Sequence, residues 1–127
     1  MSWFGYTKQM ITEYVDLLKL NLAVILVTHL MACVWIAIGI YDEEGWVNTF
    51  LVSMTTDTGY VPQPQEYFTS IYPNAFYFIL TTITTVGYGD ITGSTSLEYI
   101  FSMFVEFIGL TFFSLLTGTI SVMFSSD

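Results

Sequence analysis

Two long apolar runs, Leu17 to Tyr41 and Leu97 to Phe124, bound what this chain can become. About 20 apolar residues in a helix cross a hydrocarbon core of roughly 30 Å, and each run is long enough. Inside lipid every backbone amide and carbonyl needs a partner within the protein, so spanning segments are helices or closed barrels. The chain is 54% hydrophobic and only 10% charged, with mean hydropathy +0.63, where a soluble domain carries about 25% charged residues. The sequence predicts an all-α, integral membrane protein with two transmembrane helices. The first run is too long, and too far from the start, for a cleaved signal peptide. Both basic residues, Lys8 and Lys19, sit at the beginning and nothing basic follows the first run. That bias places both termini on the cytoplasmic side. A net charge of −9 argues against a nucleic-acid partner. The single cysteine, Cys33, cannot close an intrachain disulfide.

The segments divide as follows. Residues 1–16 form an interfacial segment, with Trp3, Phe4 and Tyr6 as interface aromatics and with Met10, Ile11, Tyr14, Val15 and Leu18 at helical spacing. Residues 17–41 are the outer helix, and Lys19 can snorkel from its first turn. His29 within it is either a pH-sensitive or gating group, or a histidine hydrogen-bonded between packed helices. Residues 42–71 lie outside. They open on Asp42-Glu43-Glu44-Gly45, and Trp46, Val47, Phe50, Leu51 and Met54 then share one face of a short amphipathic helix. Thr55 to Gln65 reads as irregular, broken by Gly59, Pro62 and Pro64. Pro73 suits the first turn of a helix, giving an uncharged helix over 73–84 that is too short to span. A re-entrant helix accounts for both facts, because irregular backbone at membrane depth is tolerated only when buried or lining water. Residues 97–124 are the inner helix, where Gly109 and Gly118 permit either close packing or bending.

Between these helices lies Thr84-Thr85-Val86-Gly87-Tyr88-Gly89-Asp90. Gly87 and Gly89 can take positive φ, which most residues avoid. Alternating them with Val86 and Tyr88 lets successive carbonyls turn to one side, ending in the Thr85 hydroxyl. Four copies around an axis would make rings of oxygen able to replace the water shell of a potassium ion. With this sequence and these flanks, the loop is identified as a potassium-channel signature. The permeant ion would be held at Thr85, Val86, Gly87 and Tyr88, with Gly89 completing the filter and Thr84 and Asp90 supporting it.

The order helix, turret, short helix, filter, helix resembles the pore domain of the voltage-gated cation-channel superfamily. Thr28 to Gly39, with His29 followed by Ala32-Cys33-Val34-Trp35, is similar to the outer pore helix of ether-à-go-go and cyclic-nucleotide-gated relatives. Leu97 to Met103, with Ile108-Gly109 and Gly118, resembles their inner helix. Animal ether-à-go-go channels usually carry Gly-Phe-Gly-Asn at the filter. Gly87-Tyr88-Gly89-Asp90 instead resembles plant inward rectifiers and Shaker-type channels. The latter imply an aromatic cuff at Tyr77 and Phe78, with Tyr77 facing Asp90 as a phenol in place of an indole. The resemblance also implies that Phe113 and Thr117, four residues apart on one helix face, line a water-filled cavity, and that Gly109 could hinge there.

The resemblance implies a tetrameric pore, made with three further pore subunits in the bilayer of a plasma membrane, that conducts potassium passively. The family's arginine-rich voltage sensor and cytoplasmic nucleotide-binding domain have no counterpart in these residues. The chain is therefore expected to be a fragment or a minimal chain in a larger assembly. A non-conducting subunit of a hetero-tetramer and a non-selective cation pore are the alternatives, and the intact Gly-Tyr-Gly argues against both. No nucleophile–base pair points to an enzyme, and no cofactor is implied.

The remaining acids invite two expectations. Asp42, Glu43, Glu44, Asp57, Glu66, Asp90 and Glu98 form an outer segment without basic residues, a negative vestibule that concentrates cations. Glu106 lies inside the inner helix, where an acid costs at least about 2.5 kcal/mol. It is expected to pair with His29 or with the hydroxyls of Thr81 or Thr82.

Overall fold

The computed structural model describes residues 3–59 and 64–125, the side chains of Thr58 and residues 64–68 excepted. Pro62, and the side chain of Glu66 in the expected vestibule, lie outside the described residues. Four helices follow in order: α1 (Trp3–Tyr41), α2 (Trp46–Thr58), α3 (Pro64–Ile83) and α4 (Ser96–Ser125). Among the described residues, α1 and α4 are the two helices long and apolar enough to cross a membrane.

Three boundaries differ from the sequence expectation. The interfacial segment 1–16 and the outer helix 17–41 are one unbroken helix of 39 residues. No glycine or proline falls between Gly5 and Gly39, so nothing stops propagation once the helix has formed. The Thr7 and Thr12 hydroxyls bond back to the carbonyls of Trp3 and Lys8 within the same helix. Within the stretch 55–65, residues 55–58 continue α2, which ends at Gly59 in the left-handed region, φ 65°, and 64–65 open α3, while 60–63 lie outside the described residues. The helix expected from Pro73 begins at Pro64, and Pro73 lies inside it. The rule that proline suits a first helical turn applies to Pro64 instead. The resulting 20-residue helix is not short, so the length argument for a re-entrant segment no longer holds.

The core is organised around Trp35 of α1, which is fully buried. Its ring lies nearly parallel to one aromatic ring from each other helix. Trp46 of α2 is at 5.6 Å, Phe78 of α3 at 4.4 Å and Phe101 of α4 at 5.9 Å between centroids. Such pairs contribute about 0.5–1.5 kcal/mol each beyond area burial. Lipid tails are as apolar as leucine, so close packing rather than exclusion of water holds helices together in a membrane. Small residues provide that closeness: Ala32 and Ala75 are fully buried in the same cluster as Ile79, Ile83 and Val105. Leu18, Leu22, Leu26, Leu30 and Val34 on α1, and Phe104, Phe107 and Leu115 on α4, remain exposed.

Glu98 departs most from its expected place. It is fully buried rather than part of an outer vestibule. Thr95 and Glu98 form a capping box: the Thr95 amide donates to Oε1 at 3.1 Å, and the Glu98 amide donates to the Thr95 hydroxyl at 3.3 Å. The Ser94 amide and hydroxyl also donate to Oε1, while the Trp46 amide donates to Oε2 at 2.9 Å. One carboxylate thus caps α4, holds the 94–95 turn and fastens the start of α2.

Candidate functional site

The loop after α3 begins as a helix terminus. The Val86 amide donates to the Thr81 carbonyl at 2.9 Å, and the Thr85 amide to that of Thr82 at 3.2 Å. These are the paired bonds of a Schellman motif, which requires a left-handed residue where Thr85 stands. Thr85 has φ 66°, the only positive φ outside glycine among the described residues. A β-branched residue is an outlier there. The Gly87 amide donates to Thr81 as well, at 3.1 Å, and the Thr84 hydroxyl to Leu80 at 2.7 Å. The end of α3 is thereby wound directly into the loop.

Positive φ recurs at Gly87, 59°, and Gly89, 76°. Residues 85, 87 and 89 are therefore left-handed and the two between them are not. This alternation is the backbone condition for carbonyls of one strand to share a side. A methyl group on Gly87 or Gly89 would meet nothing, so these glycines are needed for conformation and not for space. Sequence reasoning named Thr85 as an ion ligand and found the positive φ of the two glycines, but missed the left-handed backbone at Thr85. Its signal is positional, the second residue beyond the helix end.

Tyr77 and Asp90 brace the far end of the loop. The Tyr77 hydroxyl donates to Asp90 Oδ2 at 2.9 Å, and Asp90 Oδ1 accepts the Ile91 amide at 3.0 Å. The Tyr77 ring stacks on Tyr88 with centroids 6.2 Å apart and planes 7° apart. The hydrogen bond to the Asp90 carboxylate holds the Tyr77 phenol above its ordinary pKa. Phe78, the next cuff residue, turns inward and stacks on Trp35. Val86 and Tyr88 are exposed in the single chain.

Other expected residues are distributed as follows. His29 does not meet Glu106. Its Nδ1 pairs with the Tyr72 hydroxyl at 2.5 Å and its Nε2 lies 3.9 Å from Cys33 Sγ, a pairing between α1 and α3. The physical reason is facing: α3 lies against that side of α1, whereas Glu106 lines a cavity beside Thr81, Thr82 and Thr85. Gly109 is a close-packing position, since a methyl there would lie 2.7 Å from the Ile83 carbonyl oxygen. A methyl at Gly118 would meet nothing. Phe113 and Thr117 are exposed along α4.

The whole chain, residues 1–127, matches the model of the family described as ion transport protein. The chain belongs to the ion transport protein family. It is 31% identical over 117 residues to the voltage-gated delayed rectifier potassium channel KCNH1 of Rattus norvegicus, across 78% of this chain and 12% of the relative. The potassium voltage-gated channel unc-103 of Caenorhabditis elegans is 29% identical over 115 residues, across 84% of this chain and 14% of the relative. KCNH5 of Homo sapiens is 28% identical over 116 residues, across 78% and 12%. This member of the ion transport family therefore spans about an eighth of the length of the curated relatives it matches. Family, apolar helices and relatives agree on a membrane protein that is a channel domain akin to the ether-à-go-go potassium channels.

Proposed function

We propose that this chain supplies one quarter of a four-chain pore that conducts potassium selectively and passively across a membrane. The observation that carries the reading is the left-handed backbone at 85, 87 and 89 within Thr85-Val86-Gly87-Tyr88-Gly89-Asp90, wound directly from the end of α3. The carbonyls of Thr85, Val86, Gly87 and Tyr88 with the Thr85 hydroxyl would replace the ion's water shell, and uncharged dipoles would release it again. The relatives named potassium channels support the choice of ion.

In this reading α1 and α4 span the bilayer, and α3 enters from the outer side and ends at the filter. Its C-terminal dipole end then favours a cation near the axis. Both termini face the cytoplasm of a plasma-membrane channel, with Phe113 and Thr117 toward the inner cavity. Tyr77 and Asp90 hold the outer filter against collapse.

The test is flux into liposomes carrying the purified chain. Potassium gradients should drive uptake that sodium gradients do not, and barium should block it. Equal flux of both ions through folded, assembled protein would contradict the reading.

A further inference from the structure

Beside the 85–90 loop lies an open cavity of about 520 Å³, walled in part by Thr81, Thr82, Thr85, Ser102 and Glu106. Glu106 is the one acid in that wall and is exposed to the cavity side of α4, about three turns into the helix. An ionised carboxylate at membrane depth needs compensation. The basic residues, Lys8 and Lys19, are both on α1, and no hydrogen bond to the Glu106 carboxylate forms among the described residues.

Three of the hydroxyls in that wall have their hydrogens committed elsewhere. Thr81 and Thr82 both donate to the Phe78 carbonyl, at 3.0 and 2.7 Å, and Ser102 donates to that of Glu98 at 2.9 Å. A hydroxyl has one hydrogen and two lone pairs. With the hydrogens committed, these three oxygens have only lone pairs to offer. A carboxylate beside these lone pairs makes a set of oxygens that a proton or a cation can bridge.

We propose that Glu106, with the hydroxyl oxygens of Thr81, Thr82 and Ser102, forms a cation-binding site behind the loop, one in each chain. All-oxygen ligands with one carboxylate suit a hard cation. The site goes beyond the conduction reading and does not depend on it, because every ligand comes from one chain and no ring of four is required. A cation bound there would place a fixed positive charge beside the Thr85 hydroxyl and so oppose entry of an ion on the loop's other side.

Barium, a hard divalent cation, is the probe, titrated calorimetrically into the purified chain in potassium-free detergent buffer. The wild type should bind one Glu106-dependent barium per chain, and Glu106→Gln should weaken that binding at least tenfold. Thr82→Val should weaken it in the same direction and serves if Glu106→Gln fails to fold. Any barium on a shared axis contributes only a fraction per chain and should survive both changes. Wild-type stoichiometry and affinity in a folded Glu106→Gln or Thr82→Val chain would overturn the proposal, as would folded wild type that binds no barium in the cavity. Potassium flux on the same preparation separates the two readings. Flux without a Glu106-dependent site overturns this inference alone, and the site without flux overturns the conduction reading alone.

Discussion

The backbone amide of Trp46 donates to Glu98 Oε2 at 2.9 Å, fastening the first turn of α2 to the first turn of α4 across 52 residues of sequence. Glu98 is fully buried, and its other oxygen gathers donors from Ser94 and Thr95. Leaving a buried donor unsatisfied costs about 1–3 kcal/mol. Glu98→Ala should therefore destabilise the fold by at least about 2 kcal/mol, measured as a lower melting temperature in detergent. Glu98→Gln should fall between, since an amide retains one acceptor but turns donors toward donors. Wild-type stability in Glu98→Ala would count against the clamp.

Gly109 packs against the backbone of Ile83, two residues before Thr85. A methyl there would sit 2.7 Å from the Ile83 oxygen and 2.8 Å from its Cα. Overpacking of this kind costs about 1–3 kcal/mol. Gly109→Ala should lower both melting temperature and potassium flux. Gly118→Ala should leave the melting temperature unchanged or raised, because a methyl meets nothing there and alanine is the better helix former by about 0.8–1 kcal/mol. Equal effects of the two substitutions would refute a packing role for Gly109.

Thr85 holds a left-handed backbone, φ 66°, that costs an ordinary residue about 1–2 kcal/mol. Thr85→Gly removes that strain, offset by about 0.5–1 kcal/mol of extra unfolded-chain entropy. Stability should be equal to or slightly above wild type, while potassium conduction falls for want of the hydroxyl. Thr85→Ser should restore conduction toward wild type. A clear loss of stability in Thr85→Gly would mean that the methyl and hydroxyl serve packing instead.

The Tyr77–Asp90 bond has a defined pH behaviour. The bond to the Asp90 carboxylate raises the phenol's pKa, so the native protein holds this proton more tightly than the unfolded chain does. Its stabilisation is complete below the ordinary tyrosine value of about 10 and is lost as pH climbs through the raised value. In a tyrosinate absorbance titration, Tyr77→Phe should remove a late-titrating phenol. It should also reduce selectivity for potassium over sodium. Early titration of every tyrosine would contradict the bond.

Much of this was legible in the chain, for identifiable reasons. Apolar runs disclose α1 and α4 because lipid imposes length and composition together. Gly87 and Gly89 disclose the loop because few residues tolerate positive φ. Thr85 is hidden because its conformation follows from the helix end before it, not from its own side chain. The extent of α3 was not legible because Pro64 and Pro73 are both suited to a first turn. Glu98 reads as a vestibule acid beside the other outer carboxylates, although Thr95 three residues before it spells a capping box. The partner of His29 was not legible at all, since Tyr72 comes from a different helix whose facing only tertiary packing determines.

The most direct test of the central claim is the reversal potential of the purified chain in a planar bilayer, with potassium on one side and sodium on the other. Carbonyl coordination at 85–88 predicts a current that reverses far toward the potassium equilibrium potential and that disappears when Gly87 is replaced by Ala. A reversal near zero, or a Gly87→Ala channel as selective as the wild type, would contradict it.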